Sequence, residues 1–223
     1  MGNFNNIVFL IEKYGNLFLI GTGYTLLLSF ITVFFGTILG SVLAMLKNNR
    51  FQIIRSIVTA YIEIVRGTPI LLQLYIFKFM LPAAFPSFKP STFVCILVAL
   101  ILNSAAYVSE VIRSGIEAVD KGQTEAARSL GLNKRQTMFK IVLPQAVRYI
   151  LPALGNEFIM MIKETSLAST FFVGDLMTQF QTISGATVLT MEPLIIIGII
   201  YFVLTFSLSK GVAVFERRMK AGE

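Results

Sequence analysis

The chain has 223 residues, of which 55% are hydrophobic and only 14% charged, against roughly 25% charged in an ordinary soluble domain. It contains no His and no Trp, and its one cysteine is Cys95, which excludes a zinc site, imidazole acid–base chemistry and any intrachain disulfide. It also lacks a Gly-Lys dipeptide, so the phosphate-cradling loop GxxxxGK[ST] is absent, and with it ATP hydrolysis through such a loop.

A bilayer-crossing helix needs about 20 mostly apolar residues, and five segments meet that length. Residues 14–46 are uncharged and predict the first span. A secretory signal is the competing reading, but the run exceeds the roughly 7–15-residue apolar core of a signal peptide, and no basic cluster precedes it. Residues 57–81 predict a second span that carries Glu63, Arg66 and Lys78. A third covers 90–112, uncharged as far as Ser109. A fourth covers 149–169 and holds Glu157, Lys163 and Glu164, and an uncharged fifth covers 193–209. No internal repeat or linker divides the chain. The expectation is an all-α integral membrane protein of five transmembrane helices, with residues 1–223 as one membrane domain.

Lysine and arginine set the orientation. Segments 47–56, 113–150 and 209–223 are rich in them, whereas the opposite side holds only Lys13, Lys78 and Lys89. The basic side is cytoplasmic, which predicts an N-terminus outside and a C-terminus inside. In so apolar a chain the net charge of +7 reflects this bias rather than nucleic acid.

The longest polar stretch, 113–148, lies between spans three and four. Gln123 to Leu130 is rich in helix formers, and Gly131 stands where a helix C-terminus favours positive φ. Asn133 then caps a second short helix running to about Val142, before Pro144 interrupts it. Met138, Ile141 and Val142 form one apolar edge on that helix. Either this is a solvated connection, or the two short helices fold into a compact knob on the inner face.

The residues of this loop resemble a known signature. Glu125-Ala126-Ala127, three residues, Gly131, nine residues, then Ile141-x-Leu143-Pro144 is similar to the EAA loop of ABC-importer membrane subunits. The runs RGTPILLQL at 66–74, AAYVSEVIRSGIEAVDKGQTEAARSLG at 105–131 and IKETSLAS at 162–169 resemble the polar amino acid permeases of that family. The resemblance implies the type I ABC-importer permease fold in a bacterial cell membrane. It also implies that the EAA loop is a coupling helix docked on a separate ATPase, which binds ATP-Mg. This chain itself would then hold no cofactor or metal and would not be an enzyme. The implied partners are that ATPase subunit, a second permease subunit (identical or homologous) and an external solute-binding protein.

Charged residues inside spans are costly and tend to mark a pathway or a partner. Asn103, Tyr107 and Glu110 share one face of span three, with Ser104 beside them, while Glu157 and Glu164 share one face of span four, next to Lys163 and Thr165. These groups either satisfy one another or line a pocket for an amino acid zwitterion. In the second reading the glutamates accept from the ammonium, while Asn103, Lys163 and Thr165 donate to the carboxylate. The acidic excess suits a basic substrate such as arginine, lysine or histidine. Arg66, Gly67 and Pro69 form a gate or hinge, or else Arg66 snorkels and Pro69 is a tolerated kink. The stretch 171–185 is mildly amphipathic and is expected along the outer surface, where a delivering protein docks. The alternative in another functional class is a stand-alone, ion-coupled carrier or channel. The absence of repeated halves and the complete EAA spacing argue against it.

Overall fold

The computed structural model describes residues 4–87 and 89–220, and among them every regular element is helical. The first helix, α1, runs unbroken over Phe4–Lys47. Its 44 residues extend about 66 Å, well beyond the predicted span. α1 is apolar all round, as a lipid-embedded helix is: Phe30, Phe34, Phe35 and Ile38 are exposed. Its buried face is instead a line of small residues, among them Gly21, Thr25, Ser29, Gly36 and Gly40.

The second predicted span is not one helix. It divides into α2 (Gln52–Gly67) and α3 (Ile70–Ala84), bent by 111° across Thr68 and Pro69. The cause is local. Proline disfavours the α conformation of the residue before it, and Thr68 accordingly takes extended backbone at φ −119° and ψ 146°. The third span is α4 (Thr92–Glu117), begun by the Ser91 side chain, which accepts from the amide of Val94.

After α4 come α5 (Lys121–Ser129) and a single turn, α6 (Lys134–Thr137). Pro144 does not end the second loop helix, contrary to expectation. A wide π turn over Met138–Val142 carries the chain from α6 straight into α7 (Leu143–Glu164). In this turn the Leu143 amide donates to the carbonyl of Met138, five residues back. The wider spiral makes room for a proline ring that would otherwise meet the carbonyl four residues before it.

α7 gives way at Thr165 to a 3-10 stretch ending at Phe171, so the fourth predicted span, expected as one helix to 169, tightens before its end. α8 (Leu176–Thr187) follows, capped by the Asp175 carboxylate. It does not simply lie on the outer surface, because Leu176 and Ile183 are wholly buried with Leu10 and Phe18 of α1. The last helix, α9, runs over Met191–Lys220, past the predicted end at 209. Three helices, α1, α4 and α9, are long and apolar enough to cross a bilayer alone, and the bent α2–α3 pair adds a fourth crossing if it counts as one. α7 has the length but carries Arg148, Glu157, Lys163 and Glu164.

The central core joins α1, α3, α4 and α7 through Leu28, Leu74, Ile96, Leu100 and Met161. A close seam lies between α1 and α4. A methyl group added at Gly36 would sit 2.7 Å from Ser104 Oγ, and one at Gly40 would sit 2.8 Å from Val108 Cβ. Lipid tails are as apolar as leucine, so such helices associate through close packing rather than through water exclusion.

Candidate functional site

Two sets of residues carry the predicted chemistry, and α7 links them. The first is the knob formed by α5, α6 and the π turn. α5 ends in a six-residue closure: the Gly131 amide donates to Arg128 and the Leu132 amide to Ala127, which satisfies two carbonyls that a helix end otherwise leaves bare. Gly131 has φ +84° there, as anticipated. Asn133 caps α6 reciprocally, since its side chain accepts from the Gln136 amide while its own amide donates to the Gln136 side chain. Beneath lies an apolar cluster of Val119, Val142, Ala146 and Ile150, joined by Met138 and Ile116. Glu125 and Ala126 are exposed, Ala127 is buried, and Pro144 is exposed on the same structure. Ile141 and Leu143 are half-buried. The knob is therefore a packed body with a free outer face.

The second set lies deeper. Ser104 Oγ donates to Glu157 Oε1 at 3.1 Å, both residues are buried, and this joins α4 to α7. Two turns on, Glu164 Oε2 is buried without a hydrogen-bond partner among the described residues. Thr165 is buried but its hydroxyl is spent on the Ile162 carbonyl at 2.9 Å. Lys163 is exposed on another side of the helix and does not join the two glutamates.

The remaining predicted pocket residues go elsewhere. Asn103 is buried and donates to Gln73 Oε1 at 3.0 Å, so it serves the α2–α3 bend. Tyr107 carries Arg66 over its ring, with the guanidinium carbon 5.4 Å from the centroid. Arg66 also lies 3.6 Å from Glu110, which receives Lys47 at 2.6 Å and Arg113 at 3.0 Å. One carboxylate thus gathers cations from the ends of α1 and α2 and from its own helix. Beside it opens a cleft of about 370 Å³ lined by Arg66, Tyr107, Ser114, Tyr149 and Ala153. Gly67 and Pro69 sit at the bend itself, both exposed.

A family model for the inner membrane component of binding-protein-dependent transport systems matches residues 36–221. The chain belongs to this family. It is 42% identical over 203 residues to the arginine transport system permease protein ArtQ of Bacillus subtilis, covering 91% of this chain and 92% of that one. It is 41% identical over 213 residues to a putative glutamine transport system permease, GlnP, of Rickettsia conorii, covering 95% and 97%. The L-cystine permease TcyB of Bacillus subtilis is 38% identical over 203 residues, covering 89% of this chain and 85% of that protein. A crystal structure of an amino acid ABC transporter with histidines superposes with a TM-score of 0.90 at 42% identity, covering 98% of this chain and 99% of that one. The predicted all-helical permease fold and the resemblance are therefore borne out. The chain is a multi-pass inner-membrane permease of an amino acid ABC importer. It is not an enzyme, since ATP hydrolysis belongs to separate ATPase subunits.

Sequence reasoning missed two structural elements of this permease. Gln73, inside the run RGTPILLQL, is buried at the bend. A polar side chain four residues after a proline was the available signal. The small-residue line through Gly36 and Gly40 was visible as a GxxxG spacing in an apolar helix.

Proposed function

We propose that this permease moves polar amino acids, with basic side chains preferred, into the cytoplasm by alternating access driven through its EAA knob. The substrate preference rests on the buried Glu157 and Glu164 of α7. Glu157 takes one hydrogen bond from Ser104, and Glu164 keeps a buried oxygen free. Two such carboxylates offer acceptors to an ammonium or guanidinium group. Lys163 is exposed and makes no close ion pair with either glutamate among the described residues. Ser104 orients the Glu157 carboxylate, and Thr165 spends its hydroxyl on its own helix.

The coupling role of Glu125, Ala126, Ala127, Gly131, Ile141, Leu143 and Pro144 has support in the continuity of the chain. α6, the π turn and α7 follow one another without a break in the helix, with Pro152 inside α7, so a push on the knob is carried toward Glu157 and Glu164 along one continuous element. The ATPase subunit binds ATP-Mg and supplies that push. A second permease subunit, identical or homologous, completes the pathway, and an external solute-binding protein delivers the substrate. The basic ends of α1, α2 and α4 meet at Glu110, which agrees with placing them together at the cytoplasmic face.

The test is uptake by proteoliposomes holding the permease, its ATPase and its binding protein. Glu164→Gln is expected to lower the ratio of arginine to glutamine uptake about tenfold, the loss of one charge-assisted hydrogen bond. An unchanged ratio removes the charge argument while leaving the importer intact.

A further inference from the structure

We infer that Gln73 is a positioning residue that replaces the backbone donor missing at Pro69 and locks α2 and α3 into one rigid elbow. In an unbroken helix the carbonyl of Val65 would accept from the amide of residue 69, and proline has none. The Gln73 side-chain amide takes that place, donating to Val65 O at 2.8 Å. The same nitrogen also reaches Thr68 Oγ1 at 3.0 Å and Thr68 O at 3.2 Å. Thr68 Oγ1 in turn donates to Ile64 O at 2.8 Å. The loose end of α2 is thereby tied to the first turn of α3.

The other end of the amide is fixed as well. Gln73 Oε1 accepts from Asn103 Nδ2 at 3.0 Å, which anchors the elbow to α4. Gln73 is 8% exposed and Asn103 2%, so neither has water to fall back on. The break leaves backbone carbonyls without a helical partner, and Gln73 satisfies those of Val65 and Thr68. Arg66-Gly67-Thr68-Pro69 is accordingly a fixed corner rather than a hinge, and α2 and α3 swing as one bent piece against α4. This inference builds on the importer reading, in which such a piece must transmit motion without absorbing it.

The probe is the assembled permease–ATPase complex carrying spin labels at Ile64→Cys and Ile76→Cys, both exposed positions that flank the bend, with the buried Cys95 left in place. The parent is expected to give one narrow distance distribution. Gln73→Met keeps the side-chain length and loses every polar atom, and it is expected to broaden that distribution. It is also expected to lower solute moved per ATP hydrolysed about tenfold, the scale of one buried hydrogen bond. Pro69→Ala supplies an amide at 69 but also removes the residue that holds Thr68 extended, so the double variant Pro69→Ala/Gln73→Met is expected to narrow the distribution again at a longer separation, as α2 and α3 run on as one straighter helix, without recovering coupling. Asn103→Ala is expected to broaden the distances less, since the donors of Gln73 remain. A narrow distribution at the parent's distance in Gln73→Met overturns the inference, and so does a double variant that stays as broad as Gln73→Met alone. A parent complex that moves no amino acid contradicts the proposed function instead, because the distance readout does not depend on transport.

Discussion

The knob and the α1–α4 seam hold their shapes by opposite means. The knob stands in water, where helix ends can be hydrated and apolar side chains are driven together. It is shaped by what its residues add: the Asn133–Gln136 reciprocal cap, the positive φ of Gly131, and a small apolar cluster under both helices. The seam lies among apolar helices, where burial against lipid supplies no net drive. It is shaped by what its residues omit. Gly36 and Gly40 have no side chain where Ser104 and Val108 approach. Damage to the knob should therefore disturb coupling while the permease stays folded, and damage to the seam should disturb folding itself.

The largest expected effect lies in the seam. Gly40→Leu would drive atoms into Val108 and to within 2.9 Å of the Ala105 carbonyl, a backbone atom that cannot move aside. The cost is expected to reach about 3 kcal/mol, the upper part of the overpacking range, and the complex should fail to survive size exclusion in detergent. Gly198→Ala, at a glycine with nothing within 4 Å, should leave the melting temperature unchanged or slightly raised. Equal losses in the two variants would erase the distinction between seam and lipid-facing surface. Gly131→Val comes next. A β-branched residue at φ +84° costs about 1–3 kcal/mol, and here the cost falls on the knob. Membrane levels should hold, while uptake per ATP hydrolysed drops about tenfold or more, the equivalent of that strain. Gly131→Asn should fall much less, because asparagine tolerates that backbone.

The same contrast decides how much of the molecule could be read from the chain. Spans α1, α4 and α9 announce themselves because a long uncharged apolar run has little use outside a bilayer. Gly131 and Asn133 were legible because helix ends in water obey local rules that depend on one or two residue types. The bend at Pro69 was visible only as a kink, since the size of a bend depends on what receives the freed carbonyls. That receiver is Gln73, eight residues beyond Val65. Asn103, Tyr107 and Glu110 do share a helical face, yet periodicity does not tell which neighbour each will meet. Asn103 meets Gln73, and Tyr107 meets Arg66. Lys163 follows the same logic, because adjacency in sequence to Glu164 places it on a different side of the helix. The π turn had no signal at all beyond a proline whose expected effect was to stop the helix.

The smallest expected effect separates rigidity of the knob from mere presence of its helices. Asn133→Ala removes the side-chain acceptor for the Gln136 amide but leaves the Gln136 side chain, the apolar cluster and the Gly131 turn in place. The loss of an N-cap of this kind costs about 1 kcal/mol, too little to unfold a knob packed on Val142 and Ala146. α6 is only a single turn, however, and it begins the rod that continues into α7. In the proposed coupling, fraying at Asn133 therefore softens one of the points where a push from α5 would enter that rod, the Gln123–Gln145 contact with α7 being another. The expected outcome is an unchanged melting temperature with a two- to threefold fall, roughly, in uptake per ATP hydrolysed, and Asn133→Ser or Asn133→Asp should restore it, since both cap well. If Asn133→Ala lowers the melting temperature with no change in coupling, the cap is a matter of stability alone, and the knob works as a docking surface rather than as a lever.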